Sequence, residues 1–197
     1  MRKIVIASNN PGKLREFNLI AAHYGAGKLE VLPVPGLKQI EPPEETGATF
    51  SANAALKAEY YSQFVDGMVF ADDSGLAVDA LNGAPGIYSA RYAGEAATDP
   101  ANNAKLLEAL KNEPNRTARF ICAIAVASGR QTLFGFEDFV EGEIIDAPRG
   151  PNGFGYDPLF FYPPFGTTFG EASAEQKLLV SHRGQAMKKM IERLLSL

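Results

Sequence analysis

The sequence predicts an α/β fold on a mixed β-sheet in one domain spanning residues 1–197, with helices on the sheet's faces, and three observations point that way. Up to Leu110, short β-branched runs alternate with segments whose apolar residues recur every three to four positions. Arg119 to Ala127 and Thr132 to Ile145 then flank Ser128-Gly129-Arg130, the pattern of a long antiparallel hairpin. No repeat, low-complexity stretch or break in composition divides the 197 residues, of which 46% are hydrophobic. A chain of that length buries roughly 70% of its unfolded surface and needs no disulfide or structural metal.

The elements follow in order. Lys3 to Ser8 reads as a buried strand stopped by Asn9-Asn10-Pro11-Gly12, after which Leu14, Phe17, Ile20, Ala21 and Tyr24 mark a helix ending at Gly25 or Gly27. Leu29 to Val34 is a second strand. Pro33 to Glu45, with four prolines, is a carboxylate-rich loop. Thr49 caps a helix whose Phe50, Ala54, Ala58 and Tyr61 share a face. Met68 to Ala71 is a short strand delivering Asp72-Asp73-Ser74-Gly75 at its end, and Leu76 to Ala80 resumes as a strand before the turn Gly83-Ala84-Pro85-Gly86. Asp99, followed by Pro100, is the expected N-cap of a helix reaching Leu110. Beyond the hairpin, Pro148 to Tyr156 is loop and Leu159 to Tyr162 a short strand. Ser173 and Gln176 fit a capping box. Ser181 caps the last helix, with Ala186, Met187, Met190, Ile191, Leu194 and Leu195 as its core-facing stripe.

Composition removes several classes of function. Nineteen Lys and Arg stand against 23 Asp and Glu, a formal charge of −4, and no run of five basic residues offers a phosphate-backbone footprint. Nucleic acid is therefore not an expected partner. The one cysteine, Cys122, lies among apolar neighbours and reads as core, and two histidines, His23 and His182, exclude a His-rich metal site. The apolar run Ile4 to Ala7 is too short for a signal peptide or a membrane span, so a soluble, cytoplasmic protein is expected. Gly25-Ala26-Gly27-Lys28 lacks the flanking residues of a P-loop, Gly153-Phe154-Gly155 lacks the third glycine of a dinucleotide fingerprint, and no G-x-S-x-G elbow occurs.

Three constellations remain, each open to two readings. Ser8-Asn9-Asn10-Pro11-Gly12-Lys13 joins a buried strand to a helix; it is an anion cradle with a lysine in its first turn, or a plain cap. Asp72-Asp73-Ser74-Gly75 brings together two carboxylates that repel unless a cation neutralises them, with Glu41, Glu44 and Glu45 as further hard oxygen donors; alternatively it is a solvated turn. Gly153-Phe154-Gly155-Tyr156-Asp157-Pro158 frees an aromatic ring to stack on a flat ligand. Its companions His182 and Arg183 oppose a helix dipole, which marks either function or a bland surface pair.

Taken together these groups resemble the inosine triphosphate pyrophosphatase family, the house-cleaning purine nucleotide hydrolases. The resemblance runs through Ile4 to Lys13, Glu44 to Phe50, Asn53-Ala54-x-x-Lys57, Ala71 to Leu76, Gly83 to Arg91, Gly153 to Pro158 and Ser181 to Gly184. It implies an elongated two-lobed fold with a nucleotide cleft between the lobes, a homodimer, and Mg²⁺-dependent conversion of a non-standard purine nucleoside triphosphate (ITP, dITP or XTP) to the monophosphate and pyrophosphate. By the same resemblance Asp73 is metal ligand and general base, and Glu41 the second metal carboxylate. Ser8, Asn9, Asn10, Pro11, Gly12, Lys13, Asn53, Lys57 and Ser74 hold the phosphates. Phe154, Gly155, Tyr156, Asp157, Lys177, His182 and Arg183 hold base and sugar or help close the cleft. Ser8 stands where many relatives carry threonine, which keeps the hydroxyl.

Three competing readings are a pyrophosphatase for modified pyrimidine nucleotides, a non-catalytic nucleotide sensor and an aspartyl phosphatase. A panel of triphosphates separates the first. The second is disfavoured by the presence of both Asp73 and Lys13, and the third by adjacent carboxylates where an Asp-x-Asp pattern is wanted.

Overall fold

Seven strands pair in the order β2-β1-β3-β4-β5-β6-β7, and the computed structural model describes residues 2–197, Arg2 by its backbone alone. β1 (Arg2–Ile6) lies parallel to β2 (Leu29–Pro33) and to β3 (Val69–Val78), with Ile4 opposite Val31 and Val5 opposite Val69. β4 (Thr117–Ser128) and β5 (Gln131–Ile144) form the expected hairpin. Its turn residues Gly129 (φ 56°) and Arg130 (φ 65°) are both left-handed, which suits the twist of a two-residue connection. β5 is antiparallel to β6 (Phe160–Tyr162), and β6 to the two-residue β7 (Thr167–Thr168). Parallel and antiparallel pairings in one sheet make it mixed, as the sequence predicts.

The chain divides into two compact units: residues 1–73, 122–138 and 182–197 form the first, residues 74–121 and 139–181 the second. In the first unit, α1 (Pro11–Gly25) and α5 (His182–Ser196) bury Phe17, Ile20, Met187, Met190 and Ile191, and β1 and β3 bury Ile4, Ile6, Val69 and Phe70. Phe17 meets Phe70 edge-on at 5.3 Å. α2 (Phe50–Tyr61) starts at Thr49, whose hydroxyl accepts from the Ala52 amide as a cap should. Cys122 is buried, as its neighbours suggest. Among the described residues no helix is long and apolar enough to cross a membrane.

The second unit has its own core of Leu76, Val78, Leu106, Leu110, Phe120, Phe160 and Phe169, in which the Phe160 ring lies 4.6 Å from Phe120 and 5.0 Å from Phe169. Each such phenyl contributes roughly 1.5–3 kcal/mol by leaving water. α3 (Asp99–Ala109) and α4 (Ala174–Val180) belong to this unit, and α4 begins with the expected reciprocal capping box of Ser173 and Gln176.

Two expectations need correcting. Asp72-Asp73-Ser74-Gly75 is not a turn between two strands: β3 runs unbroken through it, because both carboxylates find cations beyond the reach of local sequence. The cap of α3 is Thr98 rather than Asp99; the Thr98 hydroxyl accepts from the Ala101 amide, Asp99 becomes the first helical residue, and its carboxylate is free for another partner.

Candidate active site

Successive side chains of a strand point to opposite faces, so Asp72 and Asp73 take partners from different helices. Lys13, in the first turn of α1, places its Nζ 2.7 Å from Asp72 Oδ2, and Arg183, in the first turn of α5, brings Nε to 4.0 Å of the same oxygen. Lys57 of α2 places Nζ 2.9 Å from Asp73 Oδ1, and Asn53, one turn earlier, donates Nδ2 to Asp73 Oδ2 at 3.3 Å. The two neighbours therefore ionise differently. Burial opposes the charge on Asp72, but Lys13, then Arg183 and Lys57, hold its pKa down at about 2. Burial dominates at Asp73, and Lys57 only partly offsets it, so this carboxyl is pushed above its ordinary value. Burial also works against the Lys57 ammonium, yet Asp73, Asp72 and Glu45 together raise its pKa. The adjacent carboxyls thus differ in proton affinity, Asp72 holding its charge more firmly than Asp73.

Glu45 joins this group. Its Oε1 is 2.9 Å from Lys57 Nζ, so Asp73 and Glu45 share one ammonium. Of the loop carboxylates weighed from sequence, it is Glu45 that meets Lys57, whereas Glu41 is exposed and accepts from the Tyr60 hydroxyl through its backbone oxygen. The loop approaches α2 closely at Gly47, whose amide donates to Asn53 Oδ1 at 2.8 Å. A Cβ there would lie 2.5 Å from that same oxygen, so only glycine fits. Among the described residues no group of three or more His, Cys, Asp or Glu gathers as a metal centre.

At the start of α1 capping bonds take three of the turn's amides. Asn10 Oδ1 accepts from Gly12 and Lys13, Ser8 Oγ accepts from Asn10, and Pro11 has no N–H to offer. The Lys13 ammonium, held by Asp72, is the cation of this segment. His182 and Arg183 are not a surface pair, since each is 3% exposed. Arg183 donates to Glu16 Oε2 at 2.5 Å and lies 5.7 Å over the Phe17 ring. Burial alone would lower its pKa, but Glu16 and Asp72 outweigh that and raise it. These carboxylates offset the unfavourable end of the helix dipole.

A second constellation lies in the other unit. Asp157 Oδ2 accepts from the Phe154 amide at 2.8 Å and from Lys177 Nζ at 2.5 Å, both charges being buried. The same ammonium sits 5.2 Å over the Phe154 ring. Gly153 has φ 77°, and a Cβ there would fall 2.2 Å from Asp157 Oδ2. Tyr156 donates its hydroxyl to the Ser89 carbonyl at 2.8 Å, and burial, then Tyr92 and Asp99, raises the phenol pKa and keeps it a donor. Gly155 is held by Asp99 and Asn103 of α3.

Of the residues singled out from sequence, the first unit thus gathers Lys13, Asn53, Lys57, Asp73 and Arg183 around one stretch of β3, and the second gathers Phe154, Asp157 and Lys177. Glu16, Glu45, Asp99 and Asn103 were not singled out for these contacts. Glu16, Asp99 and Asn103 reach partners more than 50 residues away, whereas Glu45, named from sequence as a hard oxygen donor, meets Lys57 twelve residues on.

The fold is that of an α/β protein whose β3 carries two adjacent carboxylates, each met by a lysine. The model of the Ham1 family matches residues 4–193, and the chain belongs to that family. It is 50% identical over 192 residues to the dITP/XTP pyrophosphatase of Listeria innocua, covering 96% of this chain and 93% of that protein. The protein of the same name from Exiguobacterium is 47% identical over 188 residues, covering 95% and 94%. Among solved structures, the Ham1 protein of Staphylococcus aureus has a TM-score of 0.86 at 44% identity and 99% coverage of both chains. That of Coxiella burnetii has a TM-score of 0.88 at 38% identity and full coverage of both.

Proposed function

We propose that this chain hydrolyses non-standard purine nucleoside triphosphates, dITP, XTP and ITP, to the monophosphate and pyrophosphate. The observation that carries the reading is the split between Asp72 and Asp73 at the Lys13 and Lys57 ammonium groups. The dITP/XTP pyrophosphatase activity of relatives near 50% identity supports it.

Asp73 is the general base in this reading: burial raises its affinity for the proton of an attacking water, and its two oxygens are oriented by Lys57 and Asn53. Lys13 and Lys57 stabilise the departing pyrophosphate, and Ser8, Asn9, Asn10 and Ser74 complete the phosphate contacts. Phe154 stacks on the base, a contact indifferent to base identity because every base has a π-face. Lys177 and Asp157 back the ring, with Gly155 and Tyr156 shaping its loop. Arg183 carries only donors and His182 can donate, which suits the 6-oxo group of hypoxanthine or xanthine and not the 6-amino group of adenine. No covalent intermediate is required. A homodimer belongs to the same reading.

A divalent cation, Mg²⁺ by the family resemblance, fits the donors present. Asp73 and Glu45 converge on one ammonium and leave net negative charge there. Asp73 with Glu45 or Glu41 offers hard oxygens too few for an all-protein cage, which suits a cation that keeps phosphate oxygens and waters as ligands. When bound it would neutralise charge at phosphorus and lower the pKa of water.

The test is incubation with ITP and Mg²⁺, resolving IMP, IDP, pyrophosphate and orthophosphate. IMP and pyrophosphate are expected in equal amounts, abolished by EDTA and restored by Mg²⁺. Accumulation of IDP with orthophosphate overturns the reading.

A further inference from the structure

Phe154 lies between Gly153 and Gly155, both in the left-handed region, with φ 77° and 62°. Two glycines leave the ring's direction poorly determined by its own chain, so its orientation has to be imposed from outside. At the residue's own amide the pin is Asp157, which accepts from the Phe154 N–H. Downstream it is α3. Asp99 Oδ2 accepts from the Gly155 amide at 2.7 Å, and Asn103 Nδ2 donates to the Gly155 carbonyl at 3.1 Å. Both polar groups of one glycine are thus gripped by side chains four residues apart, which share one helix face.

Neither side chain is in place for the helix alone. Thr98 caps α3, so Asp99 is not needed there. Its bond to Gly155 spans 56 residues of sequence and is charge-assisted. Asn103 is held at a cost, since its Oδ1 is buried with no protein partner once Nδ2 faces the carbonyl. The next residue of the loop is anchored as well: the Tyr156 hydroxyl donates to Ser89, whose own Oγ donates to the Gly86 carbonyl at 2.6 Å and accepts from the Leu76 amide at 2.8 Å.

We propose that Asp99 and Asn103 are positioning residues, which clamp Gly155 and so aim the Phe154 ring at the substrate's base. The inference rests on the reading of Phe154 as the base-stacking residue. A clamp of this kind governs binding and leaves bond breaking alone, so its loss moves KM and spares kcat.

The experiment measures kcat and KM for ITP in Asp99→Ala, Asp99→Asn, Asn103→Ala and Phe154→Ala, and in the double variants that combine Phe154→Ala with each alanine substitution at 99 and 103. Asp99→Ala is expected to raise KM roughly ten-fold, the worth of one charge-assisted hydrogen bond, with kcat within about three-fold. Asp99→Asn keeps an acceptor and recovers most of the loss. Asn103→Ala raises KM by a smaller factor. In the Phe154→Ala background, substitutions at 99 and 103 have no further effect on KM, because the ring through which they act is gone. Should Asp99→Ala unfold, Asp99→Asn and Asn103→Ala carry the same cycle. If Phe154→Ala raises KM while the clamp variants do not, or if they raise it equally without the ring, the clamp is overturned and the stacking reading stands. If Phe154→Ala leaves KM unchanged, the stacking reading fails and takes the clamp with it.

Discussion

Asp73→Asn is expected to lower kcat by at least about 10²-fold, the typical worth of a general base, while the protein stays folded by circular dichroism. Asparagine keeps the shape and can still accept a hydrogen bond from Lys57 or Asn53, but it takes no proton. Its effect on stability runs the other way. A carboxyl whose folded pKa lies above its unfolded value is a burden at neutral pH, because folding must retain a charge that burial disfavours. Lys57 keeps Glu45 when Asp73 is neutralised. The thermal midpoint is therefore expected to be unchanged or raised, and an inactive variant that is also unstable would contradict the assignment. Near wild-type turnover would remove Asp73 from the chemistry.

Asp72→Asn is expected to do the reverse. Its carboxylate has 1% side-chain exposure and faces Lys13 and Arg183. Removing one partner of a buried ion pair typically costs roughly 3–5 kcal/mol, because the remaining charges stay desolvated. For a chain of this size the midpoint falls on the order of 10 °C. The pH dependence follows from the sign of the shift. Asp72 has a pKa of about 2 in the folded protein against 3.8 ordinarily, so the folded state binds the proton less readily than the unfolded chain does. The stability advantage of the wild type over Asp72→Asn is full above about pH 4 and narrows by about 2 kcal/mol as pH falls through about 2. Urea unfolding of both metal-free proteins between pH 2 and 7 reads it directly. A gap that does not change with pH would show that Asp72 acts through shape and not charge.

The pair also shows where the sequence was legible and where it was not. Asp-Asp-Ser-Gly has the local chemistry of a turn, and β3 passes through it only because Lys13 and Lys57, one from each flanking helix, meet the two charges. That neutralisation is a tertiary event which no window of neighbouring residues records. By contrast the ends of α1, α2 and α4 were readable in place, since Asn10, Thr49 and Ser173 satisfy amides two or three residues away. The hairpin was readable for the same reason, its turn being decided by Gly129 and Arg130 alone. The sequence points to Asp99 as the cap of α3, but Thr98 takes that place and Asp99 accepts from Gly155 instead, a partner 56 residues away. β7 was too short at two residues to leave a period. Glu16 finds its partner, Arg183, 167 residues further along the chain, beyond the reach of any local pattern.

The central claim is that Asp73 directs water at the phosphorus from which pyrophosphate departs. Hydrolysis of ITP in water enriched in heavy oxygen tests it most directly, with the label followed by mass spectrometry through the products. The account predicts one heavy oxygen in IMP and none in pyrophosphate, and label in pyrophosphate or in orthophosphate would contradict it.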